Sequence, residues 1–141
     1  MAFWKYIVPV LFIALACHKE ASTEPPSGPR ERWRSFGIHN YKIDQVRGCF
    51  CINGSIPMRL TVRSDTVVSV IRISDGTGLS FPEAQPYWSV EQLFDNIRNL
   101  QDSMVIRYND QYGYPEYLDI DPAGHPVDAG ALYRTSNLQI Q

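Results

Sequence analysis

The stretch from Met58 to Ile73 constrains the fold more than any other part of the chain. Met58, Leu60 and Val62 alternate with Arg59, Thr61 and Arg63. Successive strand residues point to opposite faces, so this run predicts a strand with one apolar and one wet face. Ser64-Asp65-Thr66 reads as a turn, and Val67-Val68-Ser69-Val70-Ile71-Arg72-Ile73 returns as a β-branched strand. Strands joined by so short a turn pair antiparallel. The apolar face of such a sheet must then be covered by another element.

The best-specified helix supplies that cover. Ser89 is a candidate N-cap with Gln92 three residues on, a capping-box spacing, and Trp88 and Leu93 are placed for a hydrophobic staple. Val90, Leu93, Phe94, Ile97 and Leu100 form one apolar stripe at helical spacing. Arg30 to Phe36 predicts a shorter helix, with Pro29 at its start, Gly37 at its end, and Trp33 and Phe36 facing the core. Tyr41 to Ile52 reads as a strand with a bulge near Gly48, and Asp75 to Tyr87 as a loop. Met104 to Asn109, Glu116 to Asp121 and Leu132 to Ile140 complete the strands. The expected class is α+β. An antiparallel sheet of about five to six strands packs against one main amphipathic helix, with a short N-terminal helix added.

The N-terminus bears on location. Lys5 precedes an apolar run of eleven residues, Tyr6 to Ala16, and Cys17 follows. The pattern reads as a secretory signal peptide. It is too short for a membrane span, which needs about 20 residues. With Cys at the cleavage point, it resembles the lipobox of bacterial lipoproteins, although Ala14 stands where Leu is usual. Ala14-Leu15-Ala16 also satisfies ordinary secretory cleavage. Both readings cut between Ala16 and Cys17 and differ in whether Cys17 carries lipid. His18 to Pro29 is rich in Pro, Ser and Glu without an apolar period, as in a flexible tether. The expected organisation is a signal at 1–16, a lipidated Cys17 and tether over 17–29, and one domain over 30–141. The chain would be exported and held at a bacterial membrane through lipid on Cys17, facing the periplasm or the cell exterior. Arg30, Arg32 and Arg34 follow the tether, interrupted by Glu31, and read as a solvated helix start or a headgroup contact. The formal net charge of −2, with mixed signs, argues against nucleic acid as a partner.

With Cys17 assigned to lipid, Cys49 and Cys51 remain as a pair in an oxidising compartment. Two residues apart on a strand, their Cα atoms would lie ~6.6 Å apart, near the outer end of the disulfide range. A structural disulfide, a redox-active or metal-binding pair, and two buried free thiols are all open readings. His18, His39 and His125 show no zinc-ligand spacing around the pair, and no metal or cofactor is expected. Asp119 and Asp121, with Asp110 and Asp128 in flanking turns, are either acid–base or calcium-binding candidates or the wet face of a strand. Tyr87, Trp88, Tyr112 and Tyr114 form a candidate binding surface, or else pack under the sheet edge. Neither a nucleophile elbow nor a phosphate-binding glycine loop is present in the sequence.

Several of these landmarks occur together: Cys49-Phe50-Cys51, the Val62 to Val70 hairpin, Ser89-Val90-Glu91-Gln92-Leu93-Phe94, Val105 to Asn109, and Tyr112-Gly113-Tyr114-Pro115. Over roughly Trp33 to Leu138 the chain resembles a family of small secreted or lipid-anchored bacterial proteins defined only as a domain of unknown function. The resemblance implies an extracytoplasmic domain and supplies no catalytic residue. Two functions are carried forward. One is a non-enzymatic binding or assembly module with an envelope protein as partner. The other is a thiol-dependent redox or sensor protein using Cys49 and Cys51. A hydrolase using Asp119 and Asp121 is a remote third.

Overall fold

Among the described residues, six strands form one antiparallel sheet in the order β3-β2-β1-β6-β5-β4. They are β1 (Tyr41–Gly48), β2 (Met58–Arg63), β3 (Thr66–Arg72), β4 (Met104–Tyr108), β5 (Pro115–Ile120) and β6 (Ala131–Ile140). Among the described residues three helices accompany them: α1 (Pro29–Ser35), α2 (Phe81–Ala84) and α3 (Val90–Asn99). The structure, a computed structural model, describes residues 28–123 and 130–141. The expected signal, Cys17 and nearly all of the tether lie outside the described residues, as do His125 and Asp128.

The fold is mostly β, which corrects the expected α+β class built on a main amphipathic helix: helix accounts for 19% and strand for 40% of the described residues. The stripe on α3 explains the difference. Its first half buries Val90, Leu93 and Phe94, but Ile97 and Leu100 are only half-buried. The cover of the sheet is instead assembled from short pieces. Trp33 of α1 is buried edge-on against Tyr41 at 5.5 Å and Tyr114 at 6.1 Å. Tyr87 comes from the segment before α3 and Leu93 from α3 itself, the latter packing with Leu118, Ile120 and Tyr133.

The central strand β1 organises this cover through its inward residues. The Tyr41 hydroxyl accepts from the Val90 N–H at 2.8 Å, so it serves an otherwise unpaired donor in the first turn of α3. Burial pushes its phenol well above the ordinary tyrosine range. The Gln45 side chain, fully buried, donates to the Trp88 carbonyl and accepts from the Trp88 N–H, both at 3.1 Å. The amide thus stands in for a neighbouring strand. Ser89 and Gln92 form the expected capping box: the Ser89 Oγ accepts from the Gln92 N–H at 3.3 Å, and the Gln92 Oε1 accepts from the Ser89 N–H at 2.9 Å.

Two local features depart from expectation. The strand ends at Gly48, and the bulge lies further back, where the β1–β6 register shifts between Lys42 and Asp44. The extra residue falls on β6 near Asn137, whose φ is 53° and whose side-chain amide donates to Asp44 at 2.9 Å. The β2–β3 hairpin turns through Ser64 and Asp65, both left-handed (φ 47° and 64°) without a glycine. The Asn40 side chain and the His39 carbonyl accept from these two N–H groups at 3.1 Å each and hold the turn. Gly113 (φ 83°) serves a close approach, because a Cβ there would meet the Pro29 carbonyl of α1.

On the outward face, buried Asp44 accepts from Arg59 at 2.7 and 3.0 Å. Burial opposes its ionisation, but the hydrogen bonds from Arg59 and Asn137 outweigh it and hold the carboxyl below its usual range. Replacing Gln45 by Leu strands both polar groups of Trp88 and is expected to cost about 2 kcal/mol in urea unfolding. A depressed carboxyl stabilises the fold above its unfolded pKa of about 3.9 and loses that contribution as pH falls through its folded value. Urea midpoints of the natural chain should therefore fall as pH is lowered below about 4, and Asp44→Asn should flatten that decline.

Candidate functional site

Beyond Gly48 the chain leaves the sheet in a tight loop, and this loop carries the sharpest sequence motif. Cys49 and Cys51 are joined by a disulfide with Cα atoms 5.3 Å apart, off the strand on which the sequence had placed them. The loop closes on itself. The Gly54 N–H donates to the Cys51 carbonyl at 3.0 Å, and the Ser55 N–H donates to the Arg47 carbonyl at 2.6 Å. Asn53 and Ser55 are left-handed, at φ 64° and 63°. A Cβ on Gly54 would strike the Cys49 carbonyl, so only glycine fits there.

The loop is tied to the core but presents apolar tips. Asn53 accepts from Arg72 on its side chain at 3.3 Å and from the Tyr87 hydroxyl on its carbonyl at 3.4 Å. Phe50 and Ile52 are 86% and 80% exposed, and Phe81 at the start of α2 is 79% exposed. Between the loop and α2 lies an open groove of about 380 Å³, lined by Arg47, Cys51, Ile52, Asn53, Pro82, Glu83 and Pro86. Arg47 is held beside the Tyr87 and Tyr133 rings, 5.7 Å from each centroid, and its buried Nε–H meets no acceptor among the described residues. Burial raises both phenols, so neither serves as an anionic partner for Arg47.

The four aromatics proposed as a binding surface are placed otherwise. Tyr87 and Tyr114 are 3% and 5% exposed, Trp88 stacks on Tyr133 at 4.5 Å, and Tyr112 packs edge-on against Phe36 at 5.0 Å. Tyr87 and Tyr114 thus pack in the core, whereas Trp88 and Tyr112 are half-buried. Asp119 lies on β5 and accepts from the Tyr117 hydroxyl at 3.2 Å. Asp121 sits past the strand end in a left-handed turn (φ 51°). Among the described residues no three His, Cys, Asp or Glu side chains gather to hold a metal.

At the opposite end of the sheet, His39 Nδ1 donates to Asp65 at 2.8 Å beside a hollow of about 480 Å³ that also touches Trp33 and Glu91. The pair pins the hairpin turn. Sequence reasoning missed it because the two residues stand 26 apart with no motif between them. It also missed α2 and Arg47. The signal for α2 was present: Ser80 and Glu83 at capping-box spacing with Pro82 in the first turn, and Glu83 accepts from the Ser80 N–H at 3.0 Å.

A family model of unknown function, DUF6174, matches residues 27–140, from the start of α1 to the end of β6. The chain belongs to this family. No curated protein and no solved structure matches it. Membership in DUF6174 brings no activity with it, so the chemistry of the groove rests on its own residues. Gly54→Ala is expected to force the Cys49–Cys51 loop open and cost about 1–3 kcal/mol in urea unfolding. Timed alkylation should show faster reduction of the disulfide by dithiothreitol in this variant.

Proposed function

We propose that this DUF6174 chain is an exported bacterial cell-envelope protein, anchored by lipid on Cys17, that works as a non-enzymatic binding module. Its contact surface is the groove between the Cys49–Cys51 loop and α2. The observation that carries this reading is the exposure of Phe50, Ile52 and Phe81 around a groove floored by Arg47, whose buried Nε–H meets no acceptor among the described residues. Exposed apolar groups rimmed by polar ones mark interaction sites. The occupant that fits is a segment of an envelope protein bringing apolar side chains for the rim and a carbonyl or carboxylate for Arg47. The N-terminal segment joins the domain at α1, beside Gly113 and away from the groove, so a membrane tether leaves the groove accessible. In the alternative reading, Cys49 and Cys51 form a thiol-based sensor, favoured by the exposure of Cys51.

The test is the intact mass of the protein from its native membrane, alkylated without reductant. Acyl mass on Cys17 is the expected result, and an unmodified Cys17 in water-soluble protein would end the anchor reading. Unalkylated Cys49 and Cys51 are expected, whereas a mixture of alkylated and closed forms would favour the sensor. Phe50→Ser with Phe81→Ser should leave stability unchanged and abolish crosslinking to the envelope partner.

A further inference from the structure

The face of the sheet turned away from the helices concentrates positive charge on a chain whose net charge is −2. By strand parity, Lys42 of β1, Arg59 and Arg63 of β2, Arg107 of β4 and Arg134 of β6 point outward. The outward carboxylates of the strands are Asp44 and Asp119. Asp44 is consumed by Arg59 and Asn137, and Asp119 accepts from Tyr117. Lys42, Arg63, Arg107 and Arg134 enter no ion pair among the described residues; Arg63 meets only the neutral Gln141 side chain.

The middle of the face is a register row across four strands: Val46, Arg134, Tyr117 and Arg107. The Arg107 guanidinium lies over the Tyr117 ring, 4.3 Å from its centroid, which holds it in place while leaving its donors outward. Thr61, Ser69 and Ser136 fill the same face with hydroxyls. The cations are distributed over a plane several strands wide, at about 4.8 Å per strand, and do not converge on one point. A small anion would use one of them, whereas a flat array of negative charge would use them all.

We propose that this face docks on an anionic lipid headgroup surface. The bilayer is within reach on the anchoring reading given above, on which this inference rests for its biological setting. Ten residues lie between Cys17 and Gly28, and the eleven steps of such a Pro-rich tether would reach about 34 Å if extended. Basic side chains brought within a Debye length of anionic headgroups are attracted to them. Docking would convert a domain on a string into one with a fixed orientation, the sheet lying flat and the groove facing along the membrane.

The test uses residues 17–141 with Cys17→Ser, so that no acyl chain contributes. The core clusters begin at Trp33 and are complete in that segment. The protein is co-sedimented with vesicles of phosphatidylcholine alone or mixed with phosphatidylglycerol. Capture by the anionic vesicles alone is expected, with release at about 0.5 M salt. Arg107→Gln with Arg134→Gln should weaken capture about tenfold, with unchanged urea unfolding because both side chains are exposed. Phe50→Ser with Phe81→Ser should leave it unchanged. Equal capture by both vesicle types, indifference to the arginine changes, or loss with the Phe changes would each overturn the proposal. So would tighter binding to a single-stranded oligonucleotide, which would assign the face to nucleic acid. Since acylation is absent from this experiment, its failure leaves the Cys17 mass result standing, and the reverse also holds.

Discussion

Everything above the sheet depends on the buried amide of Gln45. A polar side chain in a core is costly unless both ends are satisfied, and here both are, by the two backbone groups of Trp88. That pairing fixes where the chain enters α3. Tyr41, four residues earlier on the same face, then receives the Val90 N–H, and Arg47, two residues later, sits between Tyr87 and Tyr133. Three positions on one face of β1 thus fasten Tyr87, Trp88 and Val90. The loop-groove region is built on that fastening, because Tyr87 also bonds to Asn53 in the Cys49–Cys51 loop. The groove is therefore a continuation of the core.

The two faces of the sheet solve different problems. The inner face buries Ile43, Leu60, Val62 and Leu118 under a patchwork of short helices and aromatic rings. The outer face keeps the buried Asp44 carboxylate neutralised locally, through Arg59 and the bulge residue Asn137, and leaves other cations without an ion pair among the described residues. A bulge that twists β6 also delivers the amide that completes the Asp44 site, so strand geometry and electrostatics are settled by one residue.

Much of this was legible in the sequence where periodicity was strong. The alternation at Met58 to Val62 and the Ser89–Gln92 capping spacing both correspond to what the chain does. The overall class was not, because a helical stripe counted through Leu100 overstated how much of α3 is buried. Arg47 was invisible as a site residue, since a charged residue on an inward parity reads only as a break in the pattern. The four-residue helix α2 was hidden by the glycines and prolines around it, even with its cap in place. The placement of the aromatics was not legible because an aromatic near a turn can face either way, and it is the packing of Trp33 against Tyr114 and of Trp88 against Tyr133 that shows where these rings lie.

The contact between Gly113 and Pro29 has a mechanical meaning. The chain enters the domain at α1, and α1 is pressed against the β4–β5 turn at a point where only a glycine allows the carbonyl so close. Arg30 reaches Asp95 of α3 at 2.7 Å, Arg32 reaches the Asp110 carbonyl at 2.7 Å, and Trp33 is buried beneath. Tension arriving through the N-terminal segment is shared at once among a helix, a turn and the core. It meets contacts of α1 and not the rungs of a sheet edge, since α1 lies outside the strands. On the anchoring proposed above, a pull on the N-terminus would be taken up by these contacts first.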